Sequence, residues 1–169
     1  MKKLFYLSLV LLIFAGCKND MKVVKGKNFF IKLPVGAENF TGQMLENSLL
    51  EFGDTAKHVY FIVEEKKTTK AISLDSARES FVDYNLKEDV IDSDYTVKPL
   101  GKNGQMIEAE TITLNPADMS SFQTYWVVGI YQHSPKDYYI VWTWTDRLYK
   151  PDNEKLLKSV VKSFKLKKK

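Results

Sequence analysis

Two neighbouring segments, 122–133 and 138–145, carry apolar side chains at odd and even positions alike: Trp126, Val127, Val128 and Ile130 in the first, Ile140, Val141 and Trp142 in the second. Side chains of a strand alternate between its two faces, so segments of this kind need cover on both sides and belong at the centre of a sheet held between two layers. Ser134-Pro135-Lys136-Asp137 joins them with turn-forming residues, which makes the pair a hairpin. A chain built around such a hairpin has to be a sandwich.

The remaining periodicities supply the other parts. Phe29, Ile31 and Leu33 alternate with Phe30 and Lys32 until Pro34 ends the strand, 48–52 is a short second strand, and Val59, Phe61 and Val63 alternate before Glu64-Glu65-Lys66-Lys67 turns polar. Strands at 95–100 and 105–114 flank Gly101-Lys102-Asn103-Gly104, whose glycines suit a tight connection. A helix starts at Ser73, an N-cap residue with Asp75 in the first turn, and turns Leu74, Ala77, Phe81 and Tyr84 to one side. A last helix starts at Pro151-Asp152 and carries Leu156, Leu157, Val160, Val161 and Phe164 on one stripe. Hairpin-linked strands with segregated helices predict an α+β fold, a mostly antiparallel β-sheet flanked by helices in an α/β/α sandwich.

Ahead of this domain stand Lys2, Lys3 and an apolar run over 4–15. As helix that run spans only about 18 Å, against the roughly 30 Å of a bilayer's hydrocarbon core, so it reads as a secretory signal. Phe14-Ala15-Gly16-Cys17 resembles a bacterial lipobox, with Phe14 in place of the usual Leu. The resemblance implies cleavage after residue 16 and acylation of Cys17, with palmitate among the chains, enough to hold the mature protein on a membrane. Residues 17–27 then form a lipidated Cys and tether. Lys18-Asn19-Asp20 resembles the export signals of outer-membrane lipoproteins, and a plain linker explains it equally well. The expected location is the cell envelope, anchored by lipid to the outer membrane on its periplasmic or outer face.

Removing residues 1–16 leaves 153 residues, a length for one domain, with 23 basic against 21 acidic side chains and a net charge of +2. That balance speaks against nucleic acid as a partner. With Cys17 acylated no thiol remains for a disulfide, a metal site or a nucleophile. The basic residues at 167–169 read as a solvated tail.

Phe29-Phe30-Ile31-Lys32-Leu33-Pro34, the Leu100-Gly101 step into a long strand, the paired apolar strands and the closing Ser159-Val160-Val161-Lys162-Ser163-Phe164 together resemble the PsbP-like superfamily over 28–166. Its members include photosystem II extrinsic subunits, a Ran-binding nuclear import factor and DcrB-type bacterial envelope proteins. The resemblance implies an antiparallel sheet sandwiched by helices and brings no shared catalytic residues. Function has to be argued from the site.

No catalytic constellation stands out. His58 and His133 lack the companions of a zinc site, and His133, Ser134 and Asp137 crowd one proline turn without an oxyanion motif. Glu108 and Glu110 share a strand face that is expected to be solvated; Asp83, Asp92 and Asp94 lack a calcium loop; Asp54-Thr55-Ala56 is a glycosylation-like triplet or a turn. No cofactor, metal or enzymatic activity is expected. Aromatic density in the central hairpin is the remaining signal: one face fills the core, and the other meets a helix, a ligand or a partner. Trp126 and Trp142, flanked by β-branched residues, read as packing; Trp144, Tyr139, Tyr131 and Tyr125 are the candidate contacts. The function expected is a non-catalytic, lipid-anchored envelope protein that binds a protein partner or stabilises an assembly. The alternative is a carrier or chaperone for an apolar ligand or peptide at the aromatic hairpin.

Overall fold

The apolar hairpin lies in the middle of a sheet, as its two-faced pattern requires. The computed structural model describes residues 20–87, 90–114 and 120–167. The signal segment, Cys17, Lys18, Asn19, Lys168 and Lys169 lie outside the described residues. In chain order the described residues form strands β1 (Met21–Lys25), β2 (Phe29–Pro34), β3 (Glu38–Asn39), β4 (Ser48–Asp54) and β5 (Val59–Lys67), then helix α1 (Leu74–Val82). Strands β6 (Val90–Pro99), β7 (Gly104–Leu114), β8 (Ser121–Ser134) and β9 (Asp137–Asp146), helix α2 (Lys150–Ser163) and strand β10 (Lys165–Leu166) complete them.

Among the described residues seven strands form one sheet in the order β3-β4-β5-β9-β8-β7-β6, and three form a second, β1-β2-β10. Every pairing is antiparallel. The chain leaves β5, crosses the sheet through α1 to the far edge, and returns by hairpins from β6 to β9, which pairs with β5. That route puts β8 and β9 in the interior. Val127 and Val141 face a core shared with α2 and β2, while Val128 and Ile140 face a second core under α1.

Local chemistry starts and phases both helices. Ser73 Oγ accepts the N–H of Ser76 at 3.0 Å, and Ala77 and Phe81 are buried. Tyr84, expected on the same side, is 70% exposed instead. After Val82 the helix widens into a π turn, Asp83–Lys87, and the added residue per turn shifts the phase so that Leu86 takes the inward position. In α2, Leu156, Leu157, Val160 and Val161 are buried as the stripe predicts, and Phe164 stacks on Phe29 with ring centroids 5.2 Å apart.

Gly129 marks where α2 comes nearest β8. A Cβ there would lie 2.6 Å from Tyr131 Cε2 and 2.8 Å from Val161 Cγ1. Gly129→Ala is therefore expected to cost about 1–3 kcal/mol of stability by overpacking, measured by equilibrium urea unfolding. An unchanged midpoint would show that the two side chains yield freely.

Several boundaries differ from the sequence reading. The tether expected over 17–27 is shorter, because Met21–Lys25 is a strand paired with β2, from Met21 opposite Pro34 to Lys25 opposite Phe30. Its own pattern lacks a clean period; pairing with β2 supplies the hydrogen bonds and the packing of Met21 and Val24. The tail expected over 167–169 starts later, since Lys167 Nζ donates to the carbonyls of Gly26 and Lys27 at 2.8 and 2.9 Å and lies over the Phe30 ring. Strand β5 also continues through Glu64-Glu65-Lys66-Lys67, held by β9 along its full length.

Candidate functional site

Strand alternation divides the aromatic hairpin by parity. Tyr125, Tyr131 and Tyr139 point toward α2; Trp126, Tyr138, Trp142 and Trp144 point toward α1. All three tryptophans of the chain thus share one face.

Three of the four expected contact residues prove to be packing residues. Tyr139 is fully buried against Phe29 and Phe164, and its hydroxyl donates to Glu65 Oε1 at 2.9 Å. Tyr125 is 2% exposed, with its hydroxyl 3.4 Å from Glu108 Oε2 and Lys150 Nζ above its ring. Tyr131 packs on Phe164 and donates to the carbonyl of Val161 in α2. Burial raises the pKa of all three phenols. Both faces of this hairpin are apolar, so the sequence pattern alone does not distinguish the deeper one; α2 and the small sheet bury Tyr125 and Tyr139 on the odd face and partly bury Tyr131.

Trp144 is different. It lies in a row that crosses the sheet on the α1 side, from Tyr60 in β5 through Trp144 in β9, Trp126 in β8 and Ala109 in β7 to Tyr95 in β6. Trp144 stacks on Tyr60 at 5.2 Å and 22° and meets Trp126 at 5.4 Å. Helix α1 is about 14 Å long, whereas seven strands span about 29 Å. It covers Ile107, Val128, Ile130 and Ile140 and leaves the row half-covered: Tyr60, Trp126 and Trp144 are partly exposed and Tyr95 is 40% exposed. Trp126 and Trp142 do pack, Trp142 edge-on to Phe81 at 4.8 Å, and both ring N–H groups are satisfied, by Thr111 Oγ1 and Glu64 Oε2 at 2.9 Å.

Beside the row, Trp142, Phe81, Tyr138 and Ile140 line a cleft of about 270 Å³ with Glu64 and Lys66 at its wall. That is below the usual size of ligand pockets. Tyr60 and Tyr95 escaped the sequence reading because only the strand register aligns them with Trp144.

The expected solvated face at Glu108 and Glu110 is instead an ion-pair belt against α2. Lys158 and Lys98 hold Glu108 at 2.6 and 2.7 Å, and Lys150 and Arg147 hold Glu110 at 2.5 and 3.0 Å. Burial opposes ionisation of Glu108, but the hydrogen bonds from Lys158 and Lys98 outweigh it and keep its carboxyl below the usual carboxylate range. Each acid is engaged by two basic side chains from neighbouring parts of the chain, a bracing arrangement. Ser134 Oγ donates to Asp137 Oδ2 at 2.8 Å and closes the hairpin turn, and Asp54 caps the short helical turn Thr55–Lys57. Among the described residues no three His, Cys, Asp or Glu side chains gather as metal ligands do.

No family model matches this sequence, and no curated protein does. Solved structures resemble it. Mog1p, a Ran-binding protein of Saccharomyces cerevisiae, is 10% identical with a TM-score of 0.63 over 88% of this chain and 96% of its own. The cyanobacterial PsbP of Synechocystis is 10% identical with a TM-score of 0.59 over 90% and 96%. A protein from Bacteroides thetaiotaomicron is 9% identical with a TM-score of 0.57 over 90% of this chain and 50% of that one. At such identities the likeness is one of architecture, and this chain has the mostly antiparallel α+β sandwich fold of Mog1p and the PsbP-like proteins.

Proposed function

We propose that the mature protein is a non-catalytic, lipid-anchored envelope protein, held by Cys17 at the outer membrane, whose sandwich binds a protein partner through the row Tyr60, Trp144, Trp126 and Tyr95. The carrying observation is that row, half-covered, with Tyr60, Trp144 and Trp126 already in ring contact on a rigid sheet. Large aromatic surfaces ordered before binding lose little entropy on contact, and aromatic anchors dominate protein interfaces. A neighbour in fold, Mog1p, is named for binding a protein. The carrier reading draws on the Trp142 cleft, whose size and charged wall suit at most a small polar-tipped molecule.

Two measurements test the proposal. Labelling cells with a fatty-acid analogue should mark the wild type and leave Cys17→Ala unmarked; equal labelling would remove the anchor. Tyr95→Ala, at an exposed edge-strand position, should leave the melting temperature within a few degrees while reducing recovery of proteins that co-elute from detergent-solubilised native membranes. Trp144→Ala should reduce it further, at a stability cost of about 1–3 kcal/mol for its two ring contacts. Identical co-elution from all three proteins would sink the partner site.

A further inference from the structure

The lipidation reading, on which this inference rests, fixes where the sandwich meets the membrane. Cys17 stands three residues before Asp20, a reach of at most about 11 Å, and the Asp20 carbonyl accepts the N–H of Val35 at 2.9 Å. The described residues therefore begin beside the Pro34–Val35 end of β2, within that reach of Cys17, where Val35 is 56% exposed.

Contacts lead from there across one end of the large sheet. Gly36 lies near Asp54, which caps the turn Thr55–Lys57. His58, next in the chain, stacks on Tyr149 with centroids 4.2 Å apart. Leu148, just before Tyr149, is 81% exposed, and Arg147 Nη1 donates to Gln123 Oε1 at 3.0 Å beside Phe122, 56% exposed. Several of the charges interspersed among these residues have partners: Lys57 with Asp54 at 3.4 Å, Arg147 with Glu110 at 3.0 Å, and Asp146 beside His58 Nδ1 at 3.4 Å.

We propose that this end is seated on the bilayer, with Leu148, Val35 and Phe122 entering the interfacial region of the membrane that holds the lipid. Apolar side chains projecting among paired charges suit that region, where burial of apolar area adds to an acyl anchor. Strand β9 runs about 30 Å from this end to Asp137, so the turn at 134–137 points away from the membrane. Trp144, two residues from Asp146, then holds the aromatic row sideways and close above the headgroups, which directs the site at partners lying on the same membrane.

Acylated protein extracted from membranes and reconstituted in vesicles of phosphatidylethanolamine and phosphatidylglycerol with nitroxide-labelled lipid provides the test. Cys17 is the chain's only cysteine, so Leu148→Cys and Lys136→Cys each offer one free thiol for a fluorophore once Cys17 is acylated. The label at position 148 should be quenched by the nitroxide lipid several-fold more than the label at position 136, with both proteins melting like the wild type. Equal quenching on floated vesicles would overturn the seating. So would a label at position 148 that is shielded from an aqueous quencher yet untouched by nitroxide lipid, which would assign this end to a second copy of the chain. Protein that lacks acyl mass and does not float with vesicles would overturn the anchor itself, and the seating with it.

Discussion

Leu157→Ala is expected to lower the unfolding free energy by about 3–5 kcal/mol, the largest single-residue loss in α2. Leu157 is fully buried beneath the helix in a cluster that includes Phe61, Val127 and Val141. Truncation removes transfer energy and leaves a cavity that a sheet on one side and a helix on the other cannot close. Equilibrium urea unfolding measures it, with an exposed control such as Lys155→Ala expected to change little. A loss below about 1 kcal/mol would mean that α2 is not part of the cooperative core. Deleting 151–169 should by the same reasoning abolish cooperative melting.

Glu51→Ala should be nearly as damaging, for a different reason. Glu51 has no exposed surface, and its carboxylate accepts the backbone N–H groups of Gln43 and Met44 at 3.0 and 2.9 Å and of Leu45 at 2.5 Å. Removing it orphans three donors, each worth about 1–3 kcal/mol if it stays buried; relaxation of the loop toward water should hold the total near 3 kcal/mol. Burial opposes the charge, but the backbone hydrogen bonds from Met44, Leu45 and Gln43 prevail and hold the carboxyl below its usual range. A depressed carboxyl stabilises the fold above its unfolded pKa, about 4.3, and that contribution disappears as the pH falls through the folded value. Wild type should therefore lose stability more steeply than Glu51→Gln on acidification below about pH 4.5. Parallel acid limbs would show that Glu51 is not ionised in the folded protein.

Glu51 shows where sequence reading stops. Leu49-Leu50-Glu51-Phe52 belongs to the short strand expected over 48–52, and nothing in those four residues reveals that a loop folds back to offer three amides. A carboxylate's partners are chosen by the path of the chain, and that path is not local.

What was local was legible. The two-faced hairpin, the Ser73 cap, the stripe from Leu156 to Phe164 and the turn residues at 101–104 and 134–137 follow from alternation, capping and backbone preferences that act within a few residues. They were enough for the antiparallel α+β sandwich. Tertiary structure decided the rest. Pairing with β2 made a strand of Met21–Lys25, a π turn rotated Tyr84 into solvent, and α2 with the small sheet buried Tyr125 and Tyr139. Register placed Tyr60, Trp144, Trp126 and Tyr95 in one row. Alternation states which side chains share a face of a strand, but how fully each face is covered depends on the length and placement of layers that come from distant parts of the chain.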